Sequence, residues 1–156
     1  MRKMTTKMKP PTRKQKLDNC YEAYHHAKHG TRPGRRARDG SIPTHSVVPV
    51  PDVLEAKVLK DCIKWLKSHR IFHDRHDCGS GDLVGAGQTQ YGIKYAGDII
   101  GILPDGQHLE IETKRGKGGR LSAGQQKRMA DVRATNGVYL VCHGVNELEF
   151  LMRGLI

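Results

Sequence analysis

Long hydrophobic runs are missing from this chain of 156 residues. No apolar stretch approaches the roughly 20 residues that a membrane-spanning helix needs, so we expect no membrane span. The first residues, Met1–Lys7, also lack the apolar stretch of a signal peptide. We therefore expect a cytoplasmic protein.

Cysteines are few, and no two of them form a Cys-x-x-Cys pair. They lie at Cys20, Cys62, Cys78 and Cys142. Such spacing is simplest to explain as free thiols in a reducing compartment. Three histidines lie close to the third cysteine, but their spacing matches no common zinc finger, so we expect no zinc site there. They are His69, His73 and His76.

Acidic residues are scarce in the first third of the chain. Residues 1–50 carry 12 Lys/Arg against 3 Asp/Glu, a net charge of +9, whereas residues 51–156 carry 15 against 13. So basic a segment favours a polyanionic partner, usually nucleic acid. A membrane surface is disfavoured because few large apolar residues are present to insert. We divide the chain into a basic N-terminal extension, residues 1–50, and a folded domain, residues 51–156.

The N-terminal extension shows few signs of a core of its own. Residues 1–11 have the composition of a disordered basic tail, and a capping-box pattern at Thr12 predicts a helix over about 12–28. Three prolines make residues 41–51 extended and irregular. This arm carries apolar residues, so it either reaches across to a second copy of the chain or folds back on its own domain. They are Ile42, Val47, Val48 and Val50.

The folded domain alternates helical and strand patterns. Helical spacing with Asp52 as N-cap predicts a helix to about His69, followed by a short strand at 71–75 and a glycine-rich loop over 78–92. A hairpin comes next, then a basic loop, a helix from Ser122 to about Thr135, a strand over 138–142 and a helix over 146–153. A helix between the hairpin and the last strand implies an α/β fold, a mixed β-sheet flanked by helices.

The hairpin contains the candidate metal-binding and catalytic residues. Two β-branched apolar runs flank a Pro-Asp-Gly turn, and this pattern predicts that Leu103 pairs with Gln107. Counting along the ladder then places Asp98 opposite Glu112, and Lys114 shares their face because strand side chains alternate. Two carboxylates and one ammonium converge there, as a site for a divalent metal ion and a phosphate requires. The alternative is an ordinary surface hairpin with an ion pair.

These residues resemble a known nuclease signature. Asp98, thirteen intervening residues and the tripeptide Glu112-Thr113-Lys114 are similar to the PD-(D/E)xK signature in its Glu-x-Lys form. The chain departs from the name of that signature because alanine and glycine, rather than proline, precede Asp98. The departure does not remove a metal ligand.

The surrounding residues narrow the resemblance to the VRR-NUC family of virus-type replication-repair nucleases. They are a glutamate on the preceding helix, Glu55, a basic loop after the lysine, and Leu121-Ser122-x-x-Gln125 opening the next helix. The similarity covers about residues 52–156. It implies a restriction-endonuclease-like core and metal-dependent DNA cleavage.

The chemistry of the hairpin agrees with that implication. Asp98 and Glu112 would bind Mg²⁺ or Mn²⁺, helped by the Thr113 backbone carbonyl, since these ions prefer oxygen ligands. Lys114 would orient the attacking water, help to deprotonate it and neutralise developing charge. Glu110 shares the face of Glu112, but the Glu-x-Lys spacing favours Glu112 as the ligand.

Two further residues, Glu55 and Gln125, are candidate catalytic residues, and each also has an ordinary structural explanation. Glu55 borders the apolar face of its helix and either touches the metal or its water, or is a solvated acid favoured by the helix dipole. Gln125 either contacts a phosphate or the water, or closes the capping box with Ser122, and the two roles are compatible.

Basic residues on either side of the core are candidates for contacts with the DNA backbone. The alternative is that they are solvated charges. Together with the Ser122 hydroxyl, they are Arg35, Arg36, Arg38, Arg115, Lys117 and Arg120.

We therefore expect a Mg²⁺- or Mn²⁺-dependent DNA endonuclease in a prokaryotic or phage-infected cell. Small stand-alone members of the family resemble dimeric Holliday-junction resolvases, which implies branched DNA as substrate and favours a homodimer. One alternative is a sequence-specific or flap nuclease of a phage or mobile element. Another is a non-catalytic DNA-binding protein that keeps the fold.

Overall fold

The computed structural model describes residues 12–13, 37–82 and 88–156, without the side chains of residues 80–82, 88 and 89. The chain divides after Arg35, and Arg36–Ile156 form one compact unit. The tail expected at 1–11, most of the helix expected over 12–28, and both Arg35 and Arg36 lie outside the described residues. Nothing in the structure therefore tests these predictions.

The described part of the chain contains short strands and three helices of two to four turns. In chain order they are β1 (Ile42–Pro43), α1 (Glu55–Ser68), β2 (Phe72–Arg75), β3 (Gly79–Asp82), β4 (Gln88–Tyr91), β5 (Ile99–Ile102), β6 (His108–Thr113), β7 (Arg120–Leu121), α2 (Ala123–Ala134), β8 (Val138–Cys142) and α3 (Val145–Met152). None of these helices is long and apolar enough to cross a membrane.

The predicted mixed sheet is confirmed. Four strands lie in the order β2-β5-β6-β8, with antiparallel pairing from β2 to β6 and parallel pairing between β6 and β8. A parallel pair needs a crossover connection, and α2 lies within the one that joins β6 to β8. The domain is an α/β fold with helices packed on a mixed sheet.

The core lies on the face of the sheet that α1 and α3 cover. Val58, Cys62 and Leu66 recur every four residues along α1, so they share one side of the helix, and all three are buried. They pack with Ile99 and Ile111, which are directly opposite each other in the sheet. Full burial of side chains of this size contributes about 1.5–3 kcal/mol each.

The segment before α1 belongs to this compact unit. Ile42 is buried and pairs with Leu121 in a two-stranded β1-β7 ladder. The Thr44 amide donates to the Gly119 carbonyl at 3.0 Å. The described part of the arm therefore folds back on its own domain, which is the second of the two predicted alternatives. It does so because β7 offers a strand edge and α3 offers a buried carboxylate.

Two local predictions are wrong. Leu54, not Asp52, occupies the N-cap of α1, without a side-chain capping bond, and the Asp52 carboxylate instead lies 3.9 Å from the Lys117 ammonium. The glycine-rich stretch 78–92 is not a plain loop, because β3 and β4 pair antiparallel within it. Backbone pairing needs no alternating side chains, so a glycine-rich ribbon leaves no period-two pattern to detect.

Glu147 on α3 holds the arm to the core. Its carboxylate is fully buried and accepts hydrogen bonds from the Val47 amide at 2.7 Å and from the amide and Nδ1 of His143 at 2.8 and 2.9 Å. Burial acts to raise the pKa of Glu147, but these hydrogen bonds outweigh it and hold the pKa below its usual 4.5. A lowered folded pKa means that the charged form contributes stability above about pH 4.5, which is lost as the pH falls.

We expect Glu147→Gln to lower the free energy of unfolding by about 1–3 kcal/mol at neutral pH, since a buried charge-assisted acceptor is lost. The variant should also lose less stability than the wild type on acidification below about pH 4.5. Urea unfolding at neutral and acidic pH checks both. Glu149→Gln, the same change at an exposed position of α3, is the control and should change little. Equal effects of the two changes would contradict this account.

Candidate active site

A cleft opens where the hairpin of β5 and β6 meets the start of α2. Its volume is about 350 Å³, and residues from the β3-β4 ribbon, the turn after β4, the hairpin and the N-terminal end of α2 line it. The lining residues are Cys78, Gly79, Gln90, Tyr91, Gly92, Lys94, Tyr95, Ala96, Asp98, Glu112, Ser122 and Gln125. The cleft thus brings together three of the predicted catalytic residues, Asp98, Glu112 and Gln125.

The hairpin has the predicted register. The Leu103 amide donates to the Gln107 carbonyl at 2.9 Å, and Gly106 adopts a φ of +89°, as the turn requires. Ile99 lies opposite Ile111 in the last pair of the ladder, and Asp98 and Glu112 are the immediate neighbours of these two residues. The two carboxylates therefore share one face of the sheet, the face opposite the α1–α3 core.

Thr113 fixes the position of Asp98. Its amide and its hydroxyl each donate to Asp98 Oδ2 at 2.7 Å. Among the described residues, no hydrogen bond reaches the other oxygen, Oδ1. Within the described part of the chain, one oxygen of Asp98 is therefore anchored and the other accepts no hydrogen bond. Thr113 itself is fully buried and does not line the cleft, so the role of its backbone carbonyl as a metal ligand stays a prediction.

Glu112 is buried among polar side chains. Its Oε1 accepts hydrogen bonds from Lys114 Nζ and Gln125 Nε2, both at 2.5 Å, and the hydroxyl of Tyr139 lies 3.4 Å from Oε2. Burial raises the pKa of Glu112 to about 7, the negative charge of Asp98 adds to the rise, and Lys114 opposes it. Among the described residues, Lys114 is the cation that forms an ion pair with Glu112.

Gln125 fills one of the two roles that the sequence left open, and its side chain also contacts Glu112. Its backbone amide donates to the Ser122 hydroxyl at 3.2 Å and its side-chain oxygen accepts from the Ser122 amide at 2.9 Å, so the capping box is confirmed. Its Nε2 donates to Glu112 at the same time. The cap that starts α2 therefore also orients the carboxylate of Glu112, and the Ser122 hydroxyl is occupied as the N-cap.

Glu110 is a structural residue. It is fully buried and pairs with Arg128 on α2, with His108 Nε2 at 2.8 Å and with the Gly97 amide at 3.0 Å. Burial acts to raise the pKa of Glu110, but Arg128 and the other donors hold it below its usual value. Because Gly97 precedes Asp98, this network also fixes the start of the hairpin strand.

The donor set fits Mg²⁺ or Mn²⁺ better than a softer metal. Among the described residues, no three His, Cys, Asp or Glu side chains come close enough together to hold a metal ion. Asp98 Oδ1 and Glu112 Oε2 are oxygen donors, and Mg²⁺ is typically held by one or two carboxylates, with waters and substrate phosphates completing its shell. A dication would also relieve the repulsion that raises the pKa of Glu112.

The remaining predicted site residues that the structure describes do not line the cleft. Glu55 begins α1, is exposed and does not line the cleft, although its charge contributes to the raised pKa of Glu112. Arg38 and Arg115 are exposed, and Lys117 is 76% exposed near Asp52. Arg120 has a structural role, because its Nε and Nη2 donate to the hydroxyl and carbonyl of Ser41 at 2.7 and 2.9 Å.

The sequence analysis missed several residues in the cleft or in contact with the carboxylates. Tyr139 contacts Glu112 from the neighbouring parallel strand, and only the register of β6 with β8 reveals this. Arg128, which pairs with Glu110, follows Gln125 by three residues, and this spacing places both on one side of α2. Tyr91 and Tyr95 line the cleft, and both lie in or beside the stretch predicted as a plain loop.

Comparison of the chain with protein-family models, with curated proteins and with solved structures finds no significant match in any of the three. The resemblance to the VRR-NUC family therefore stays a prediction, carried by the residues of the hairpin and of the helix that follows it.

We expect Gln125→Glu to destabilise the protein by about 1–3 kcal/mol at about pH 8, where Glu112 is charged. In an ordinary capping box glutamate replaces glutamine without loss, because the helix dipole favours an acid there. Here a third carboxylate would face Glu112, whose Oε1 loses a donor. Urea unfolding of this variant and of Gln125→Ala measures the difference. A glutamate variant as stable as the wild type would show that position 125 does not face Glu112.

Proposed function

We propose that this protein is a metal-dependent DNA endonuclease that hydrolyses phosphodiester bonds. The observation that carries the proposal is the pair Asp98 and Glu112, side by side in an open cleft, with Lys114 Nζ 2.5 Å from Glu112. Carboxylates and an ammonium in that arrangement match the Asp…Glu-x-Lys order of the PD-(D/E)xK nucleases. A restriction-endonuclease-like core is part of the same proposal, and the mixed sheet is compatible with it.

Each residue has a distinct task in this proposal. Asp98 and Glu112, helped by the Thr113 carbonyl, would hold Mg²⁺ or Mn²⁺, which supplies charge stabilisation and an activated water for phosphodiester hydrolysis. Lys114 orients the attacking water and offsets negative charge at the phosphate. Gln125 acts as a positioning residue, because it donates to Glu112.

The cost of the site argues against a DNA-binding protein without catalysis. Glu112 is 2% exposed and its pKa is raised to about 7 by burial and by Asp98. Holding such a charged pair together lowers the stability of the fold, and a protein that only binds phosphates gains nothing from carboxylates in its cleft. Exposed Arg115 and Lys117, next to the site, are suited to the DNA backbone.

Branched DNA, such as a four-way junction, is the substrate we propose, on the strength of the family resemblance. A junction of near two-fold symmetry needs two matched cuts, which a homodimer of this chain would supply. The described part of the arm packs on its own domain, so a dimer would use another surface. A flap or sequence-specific nuclease remains the alternative within the same chemistry.

We expect the wild-type chain to cut a four-way junction in preference to a flap or a linear duplex, with Mg²⁺ or Mn²⁺ and not with EDTA. Asp98→Asn and Glu112→Gln should each reduce cleavage at least about 100-fold, the order seen when a group that stabilises transition-state charge is removed. Gel assays of labelled substrates measure the rates.

Asp74→Asn is the matched control, because Asp74 is an exposed acid on β2 of the same sheet. It should cut at the wild-type rate, and DNA binding in EDTA should survive in all three variants. Near-normal cleavage by Asp98→Asn or Glu112→Gln with Mg²⁺ present would rule out these residues as the active site. Equal cutting of all substrates would remove the preference for branched DNA alone.

A further inference from the structure

Two exposed tyrosines line the same cleft as the carboxylates of Asp98 and Glu112. Tyr91 is 52% exposed and Tyr95 is 43% exposed, and both line the cleft. Aromatic residues make up only 5% of the chain. The third tyrosine among the described residues, Tyr139, is buried and does not line the cleft. Tyr91 and Tyr95 lie together in one cleft, whereas the exposed rings of Phe72 and Phe150 do not line it.

Tyr95 is held in place by an unusual local geometry. Its φ is +66°, a left-handed conformation that a bulky residue adopts only when its surroundings require it. Its ring lies against Gly124 on α2, where an added Cβ would come within 2.4 Å of the ring atom Cε1. The absence of a side chain at position 124 therefore makes room for the ring beside the first turn of α2.

Tyr91 is supported in the same way. It lies opposite Gly79 in the β3-β4 ribbon, and a Cβ at Gly79 would come within 2.5 Å of the tyrosine hydroxyl oxygen. The turn between the two tyrosines is tied down as well, because the Ile93 amide donates to His76 Nε2 at 2.9 Å. Each tyrosine thus rests on a glycine and remains about half exposed.

The charge beside these rings is positive. Lys94 lies between the two tyrosines in sequence, and its Nζ lies over the face of the Tyr95 ring, 5.1 Å from the centroid. A base that stacks on that face takes the place of the ammonium, which then lies free to contact a phosphate. An exposed ammonium next to exposed aromatic rings matches the two parts of a nucleotide, because the ammonium suits the phosphate and the ring stacks on the base. A fully apolar ligand would gain nothing from the lysine.

We propose that Tyr91 and Tyr95 form a stacking site for an unpaired nucleobase next to the scissile phosphate. The identification of the ligand as a nucleobase of DNA rests on the proposed nuclease function. A base in a duplex is already stacked on both faces, so this site selects strands whose bases are free, at a branch point, a flap or a single-stranded end. Stacking does not depend on base identity, so the site confers preference for DNA structure rather than for sequence.

Strand binding by the full chain in EDTA tests this proposal without any cleavage. One probe is a short labelled single strand of thymidine nucleotides, and the other is a strand of equal length and charge whose nucleotides lack bases. We expect Tyr95→Ala to weaken binding of the thymidine strand at least about fivefold, the lower end of what base–aromatic stacking contributes. Binding of the base-free strand should not change, and Tyr95→Phe should bind both strands as the wild type does.

Two further variants distinguish a loss of stacking from a loss of folding. Gly124→Ala keeps the tyrosine but drives its ring out of position, so it should reproduce the effect of Tyr95→Ala on the thymidine strand while α2 gains helix propensity. Phe150→Ala removes an aromatic ring of 47% exposure on α3 and should change neither affinity. Thermal unfolding of each variant verifies that it is folded.

Equal losses on both strands, or no loss with Tyr95→Ala, would overturn the stacking site. The outcome is separable from the nuclease proposal. A base-dependent loss in a protein that never cuts DNA would leave the stacking site standing and remove the catalysis. Cleavage that depends on Asp98, together with base-independent binding, would remove the stacking site and leave the catalysis.

Discussion

The structure depends on holding two carboxylates, Asp98 and Glu112, side by side in one cleft. Like charges at such a distance repel, and burial makes the repulsion costlier, as the raised pKa of Glu112 reflects. The chain offsets that cost with specific donors: Thr113 anchors one oxygen of Asp98, while Lys114 and Gln125 donate to Glu112. The hairpin register, the capping box of α2 and the lysine two residues after the glutamate all serve this one arrangement.

Contacts outside the cleft hold the side chains that donate to Asp98 and Glu112 in position. Gln125 faces Glu112 only while α2 begins at Ser122, and the segment before α1 stabilises that start. Gln126 Nε2 donates to the Gly40 carbonyl at 2.9 Å, and Arg120 donates to Ser41. The arm at residues 40–50 is therefore connected through β7 and the first turn of α2 to the candidate active site. This explains why the arm belongs with the folded unit although its composition resembles a linker.

Local and periodic features of the sequence predicted most of what the structure contains. The turn chemistry predicted the hairpin register, which places Asp98 and Glu112 in one cleft. The Ser-x-x-Gln pattern located the start of α2. Contacts between residues far apart in the chain could not be predicted from the sequence. No pattern links residue 42 to residue 121, a glycine-rich ribbon shows no alternation, and Tyr139 reaches Glu112 only through a parallel register set by the crossover. The sequence also gave no indication that Tyr91 and Tyr95 line the cleft, because packing of a ring against a glycine on a distant helix leaves no local sequence pattern.

Binding of Mn²⁺ by the free protein shows whether Asp98 and Glu112 form a metal site, and it needs neither a substrate nor a rate. Calorimetric titration of the wild type, Asp98→Asn and Lys114→Met separates the carboxylates from the ammonium. We expect the wild type and the lysine variant to bind Mn²⁺, whereas Asp98→Asn does not. Saturable Mn²⁺ binding of equal affinity in Asp98→Asn and the wild type would contradict the assignment of this cleft as a metal site.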